Sequence, residues 1–247
     1  MSNSEDESGE AGRLMGIDVI LPAGGRISGE LAEETGVEVK ALIPVCGQTV
    51  LERTLDILRA TGRVDRAVVV GPDEIAKHPA AKLADAVLPE GGSTGPANIM
   101  QGIEWLKGSE SGNRVLMITT DLPFITPQAI STFLDSCPTS VNEYVRLRDG
   151  EWTMGCSYLV NPEALVRNRD HIERVFAARK SQIAMVRLLG IMFILRFITR
   201  TLAIPHIERR CVQMLGCSGA GIRESPPELA FDIDDIEEYR YAKEHCR

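Results

Sequence analysis

Apolar residues in this chain fall in short, nearly unbroken runs separated by longer segments with helical periodicity. Asp18-Val19-Ile20-Leu21-Pro22, Arg66-Ala67-Val68-Val69-Val70-Gly71 and the run from Arg114 to Thr119 are rich in aliphatic and β-branched residues. Runs of that length and content read as strands buried on both faces. Asp85-Ala86-Val87-Leu88-Pro89 reads as a weaker, edge-like strand. Between them lie helix signals. Thr49-Val50-Leu51-Glu52 is a capping-box start, and Leu51, Leu55 and Leu58 give its helix one apolar stripe. Ser93 or Thr94 can cap a helix through about Lys107, with Pro96 in its first turn. Thr126-Pro127 and Asn161-Pro162-Glu163 open two more. Alternation around Asp149-Gly150, from about Glu143 to Val160, is a hairpin signal. Leu229 to Asp234 reads as a strand, followed by a terminal helix capped at Asp235 with Glu238 as box partner.

Strands alternating with helices imply parallel βαβ units and a sheet covered on both faces. Ligands in such sheets sit at the carboxyl ends of the strands. The glycine turn Ala23-Gly24-Gly25-Arg26, the loop at Gly91 and Asp121 all fall at those ends, so they should converge in space.

The segment from Arg179 to Leu215 is different: helical, basic and apolar. Ile183 to Leu195 is its greasiest part, but Arg187, Arg196 and Arg200 interrupt it, so no stretch is long enough to span a bilayer. It reads as a core or subunit-interface helix, with a membrane-surface role as the alternative. Residues 1–15 read as a solvated acidic tail, and 16–247 as a single domain whose 150–226 region lies on the acceptor or dimer side. A net charge of −8 over 247 residues argues against nucleic-acid binding as the main activity. Six scattered cysteines without a C-x-x-C pair argue against a zinc site. With no secretion signal read, the expectation is free thiols and a cytoplasmic protein.

Several residues could carry chemistry. Gly24 and Gly25 can turn their N–H groups toward an anion, and Arg26 and Lys40 add positive charge to the same neighbourhood. Asp121, just past a strand, could hold Mg²⁺ or could be a plain turn aspartate. Asp232 and Asp234, two apart on the expected strand, would point the same way and repel unless a cation lies between them. Ser93, Thr94 and Asn98 could bond a base or ribose, or the first two could merely cap their helix. Arg179 and Lys180 could pair with an acceptor phosphate, or be ordinary solvated cations.

Leu21-Pro22-Ala23-Gly24-Gly25 followed by Lys40-Ala41-Leu42-Ile43-Pro44-Val45 resembles the signature loop of the MobA-like nucleotidyltransferases. That resemblance implies a Rossmann-like three-layer α/β sandwich of the nucleotide-diphospho-sugar transferase type. It also implies transfer of an NMP group from an NTP, CTP or GTP by analogy, to a phosphorylated small-molecule acceptor, with Mg²⁺ as cofactor. By the family's pattern Leu21, Ala23, Gly24 and Gly25 line the nucleotide, while Lys40 and Arg26 neutralise its phosphates. Asp121 matches a metal-binding D-x-P, and Asp234 the second ligand in a terminal D-I-D, with Asp232 as its near alternative. The loop departs from the family: Arg26 follows the glycines directly, no Arg-Met pair occurs, and the polar stretch Ile27–Val39, read as a loop, is longer than the family norm. A glycosyltransferase using a sugar nucleotide and a silent nucleotide-binding subunit are the rival readings, and a homodimer is an expected assembly.

Overall fold

The computed structural model describes residues 16–108, 114–137, 156–178, 181–199, 201–217, 219–222 and 224–245. In chain order it contains β1 (Ile17–Pro22), α1 (Glu30–Thr35), β2 (Pro44–Val45), β3 (Gln48–Thr49), α2 (Val50–Ala60), β4 (Val64–Val70), α3 (Asp73–Lys77) and β5 (Ala86–Leu88). There follow α4 (Gly95–Leu106), β6 (Val115–Ile118), α5 (Pro127–Ser136), β7 (Ser157–Val160), α6 (Pro162–Arg167) and α7 (Arg169–Ala178). The chain closes with α8 (Gln182–Leu189), α9 (Ile191–Ile198), α10 (Ile204–Leu215) and α11 (Ile236–His245).

Among the described residues, five strands form the main sheet in the order β5-β4-β1-β6-β7, parallel except for β7, which runs antiparallel to β6. β1 lies at the centre because all of its side chains but Pro22 are buried. Alternation divides them between two cores. Val19, Leu21, Ala67, Val69, Leu116 and Ile118 face α2 and α5, whereas Ile20, Val68, Val70, Val115 and Met117 face α4 and α6. The sheet is thus covered on both faces, as continuous apolar strands require.

The helix starts obey their local chemistry. Thr49 accepts from the Glu52 N–H and Glu52 reaches back to the Thr49 N–H, the reciprocal box expected there. Thr94, Thr126 and Asn161 cap α4, α5 and α6, each followed by proline in the first turn. Asp235 accepts from the Glu237 and Glu238 N–H groups at 2.9 Å and so caps α11.

Three expectations change. The polar stretch Ile27–Val39 is not all loop but holds α1, set between Gly29 and Gly36, both at positive φ. Leu229 to Asp234 is not a strand; after a 3₁₀ turn over Pro227–Leu229 it runs as irregular chain. Cys46 is disulfide-bonded, so the expectation of free thiols throughout fails there. The hairpin expected around Asp149-Gly150 lies outside the described residues; at the end of that stretch, β7 pairs with β6.

A third, smaller core lies beyond the C-terminal end of the sheet. Leu31 of α1, Ile43, Val45, Val50, Ile233 and, from α11, Tyr239 and Ala242 pack together there. On its surface Arg240 pairs with Glu30 at 2.8 Å and Glu34 at 2.6 Å, joining α11 to α1. This core brings the chain around Lys40 and the chain around Asp234 to the same place.

Candidate active site

Lys40 opens a 3₁₀ turn, Lys40–Leu42, just after the bridge between Arg26 and Val39. Its N–H donates to the Gly25 carbonyl at 2.9 Å, which seats the lysine against the glycine turn. The ammonium donates to Asp121 Oδ2 at 2.6 Å and to Asp234 Oδ1. Lys40 and Asp121 are largely buried, at 15% and 14% side-chain exposure, while Asp234 opens to solvent. Burial works against the charge on Lys40, yet the two carboxylates outweigh it and raise its pKa.

Asp232 completes the group: one carboxylate oxygen from each of Asp121, Asp232 and Asp234 lies within 4.8 Å of the others. Burial raises the Asp232 pKa, and the charges of Asp121 and Asp234 add to it. Asp121 Oδ1 is buried and has no hydrogen-bond partner, a costly arrangement unless a ligand completes it. Three clustered carboxylates, with the unpartnered Asp121 Oδ1 in their midst, fit a hard divalent cation. Beside them, Cys156 precedes β7, and its carbonyl accepts from the Thr119 N–H at 3.1 Å. Burial pushes its thiol up to about 11, helped by Asp232 and Asp121, so it stays protonated at neutral pH.

The glycine turn faces the loop before α4. A Cβ on Gly24 would lie 2.4 Å from Glu90 Oε1 and 2.8 Å from Asn98 Nδ2, so the close approach of these groups depends on the missing side chain. Asn98 is buried and its Oδ1 accepts from the Gly91 N–H at 3.0 Å. A Cβ on Gly91 would come within 2.6 Å of the Ala97 carbonyl oxygen, so this loop folds tightly onto the first turn of α4.

A family model for the MobA-like NTP transferase domain matches residues 19–200. The chain belongs to that family. This NTP transferase is also similar in structure to a hypothetical transferase from Thermus thermophilus, 27% identical, with a TM-score of 0.77, covering 91% of this chain and 100% of that one. A nucleotidyl transferase from Methanothermobacter thermautotrophicus is 19% identical with a TM-score of 0.61, over 95% and 98% of the two chains. A 2-C-methyl-D-erythritol 4-phosphate cytidylyltransferase, also from Thermus thermophilus, is 21% identical with a TM-score of 0.59, over 94% and 100%. The last two likenesses carry the fold alone. No curated protein is similar enough in sequence to count as a match.

Of the residues singled out in the transferase sequence, Lys40, Asp121, Asp232 and Asp234 meet in one cluster, with Gly25 against the lysine. Leu21 and Ala23 are buried, and the Ala23 N–H is already given to the Val70 carbonyl at 2.7 Å. Arg26 turns to Glu74, 2.7 Å away, rather than to the carboxylate cluster. That hydrogen bond raises the Arg26 pKa and lowers the Glu74 pKa. Thr94 accepts from the Ala97 N–H and donates to the Glu173 carboxylate of α7, whereas Ser93 is exposed. Arg179 and Lys180 lie outside the described residues. Sequence reasoning gave no role to Glu90, Glu173 or Cys156. Glu90 directly precedes the Gly91-Gly92 turn and could have been found there; the other two carry no local signal.

Replacing Lys40 with Met should destabilise the ligand-free protein by about 1–3 kcal/mol, because two carboxylates lose their cation. Since the Lys40 pKa is raised, its contribution is complete at neutral pH and goes only as alkali removes the proton. Urea unfolding should therefore show a gap between variant and wild type that is steady near neutrality and closes in strong alkali. Gly91→Ala should cost about 1–3 kcal/mol by the same measurement. Gly95→Ala is the control, since its Cβ would meet Phe176 at an ordinary 3.6 Å.

Proposed function

We propose that this NTP transferase is a Mg²⁺-dependent enzyme that moves an NMP group from an NTP to a phosphorylated small-molecule acceptor and releases pyrophosphate. The observation that carries the reading is the meeting of Asp121, Asp232 and Asp234 with Lys40 beside the glycine turn. The position supports it too: these residues gather past the C-terminal ends of β1 and β6, where parallel sheets bind ligands.

In the proposed reaction the acceptor phosphate attacks the α-phosphorus in line and pyrophosphate departs. A phosphate nucleophile is already ionised near neutral pH, so little acid–base chemistry is needed and positioning with charge neutralisation carries the rate. Asp121 and Asp234 would hold Mg²⁺, with Asp232 as the third oxygen donor. Bound there, the ion supplies Lewis-acid neutralisation of phosphate charge. Lys40 shields the carboxylates from one another before ligands arrive, and its ammonium then serves the phosphates. Gly24 and Gly25 let the backbone approach the triphosphate, and Glu90 with Asn98 walls the opposite side of the turn. Arg26 would reach the departing pyrophosphate only by leaving Glu74. A neutral Cys156 thiol keeps that flank of the carboxylates free of further charge.

Asp121→Ala should lower turnover by about 10²–10³ or more, while circular dichroism and urea unfolding show an intact fold. A pyrophosphate-release assay with each of ATP, CTP, GTP and UTP, Mg²⁺ and a panel of sugar and polyol phosphates provides the readout. Pyrophosphate release by Asp121→Ala at the wild-type rate would refute the metal assignment. Nucleotide binding without release from any NTP would favour the silent subunit, and activity with sugar nucleotides alone the glycosyltransferase. Mg²⁺ affinity should also fall on acidification before ordinary carboxylates titrate, because Asp232 takes up its proton early. Calorimetric titration with Mg²⁺ in the absence of nucleotide measures this, and Asp232→Asn should flatten the dependence.

A further inference from the structure

Four apolar side chains of α9 stand outside the cores formed by the described residues. In α9 the side chains of Ile191, Met192, Leu195 and Ile198 are 62%, 60%, 46% and 68% exposed. At about 100° per residue they occupy one arc of about 120° on the helix. Arg196 is exposed just beyond one edge of that arc. α9 packs on α8, which carries the exposed Arg187, and the guanidinium of Arg210 in α10 donates to the Leu188 carbonyl at 2.7 Å. The three helices therefore form one unit, and α10 adds exposed Arg209 and Val212.

Positive charge is concentrated in this stretch of the sequence. Residues 179–210 contain seven arginines and lysines and a single carboxylate, in a chain whose net charge is −8. That carboxylate, Glu208, is engaged with the Gly221 N–H at 3.0 Å. A two-fold dimer through α9 would set Arg187, Arg196 and Arg209 against their own copies, with no carboxylate in α8 or α9 to answer them. A surface that offers both hydrocarbon and negative charge answers both features at once.

We propose that α8–α10 form a docking face for an anionic phospholipid bilayer, with Ile191, Met192, Leu195 and Ile198 entering the headgroup–acyl boundary and Arg187, Arg196 and Arg209 meeting lipid phosphates. The helix lies in the interface and does not cross it: no helix among the described residues is long and apolar enough to span a membrane. The inference is independent of the proposed chemistry.

The test is sedimentation of the full chain with vesicles of phosphatidylcholine alone or mixed with phosphatidylglycerol, at low and high salt. Binding should appear only with the anionic vesicles and weaken with salt. The triple variant R187Q/R196Q/R209Q should bind about 100-fold less tightly, at about fivefold per arginine, and L195E/I198E should not bind. Both variants should keep wild-type urea unfolding and Mg²⁺ binding in solution, which separates loss of docking from loss of fold. Equal sedimentation with neutral and anionic vesicles, or none with either, would overturn the proposal. So would a stable wild-type dimer in analytical ultracentrifugation that L195E/I198E abolishes.

Discussion

Three carboxylates gathered within 4.8 Å repel one another, and the rest of the site exists on the condition that something holds them there. Two forces do so in the ligand-free protein. Lys40 lies between Asp121 and Asp234 as an internal counter-ion, itself kept charged by them. The second force is apolar. Ile43, three residues past the lysine, and Ile233, between the two late aspartates, are fully buried in the same small core. Burying those isoleucines leaves the polar groups on either side little choice of direction. The Ile233 N–H then donates to the Asp121 carbonyl at 3.2 Å and fixes the late segment against the mid-chain aspartate.

The same economy of parts appears on the nucleotide side. β1 ends at Pro22, and the chain must turn in the narrow space left by the loop before α4. Glu90 and Asn98 fill the volume a side chain at Gly24 would need, and Gly91 lies so close to α4 that a side chain there would meet the Ala97 carbonyl. Glycine at both positions allows two loops from different βα units to lie against each other. Thr94 meanwhile spends its hydroxyl on the helix cap and on Glu173, which ties α4 to α7.

Much of this was legible in the sequence because it is governed by local rules. The central strands announce themselves as continuous aliphatic runs, and the caps at Thr49, Thr94, Thr126, Asn161 and Asp235 are where side-chain chemistry puts them. The meeting of Lys40 with Asp121 and Asp234 was expected from loops at the carboxyl ends of parallel strands plus a resemblance. Where reading failed, a local pattern had a non-local cause. Phe231-Asp232-Ile233-Asp234 alternates like a strand, but the alternation comes from one buried isoleucine and two carboxylates turned to the site, with no ladder beside it. α1 hid because its six residues bury only Leu31. α9 departs from one of its two expected roles: apolar content suggested a core or a subunit-interface helix, and Ile191, Met192, Leu195 and Ile198 are exposed rather than in a core. Arg26 could be placed in the turn but not aimed, because its partner Glu74 comes from a separate helix.

The hydrogen bond from Ile233 to Asp121 has a temporal meaning. Asp121 and its lysine are made early, on a sheet that already has its central strands, while Asp232 and Asp234 arrive more than a hundred positions later with α11 close behind. A chain emerging from the ribosome can therefore build most of its scaffold while its acidic cluster still lacks two members. Assembly of the cluster waits for the carboxyl-terminal segment to settle onto α1. Only a chain in which α11 has joined the small core around Ile233 brings all three carboxylates together.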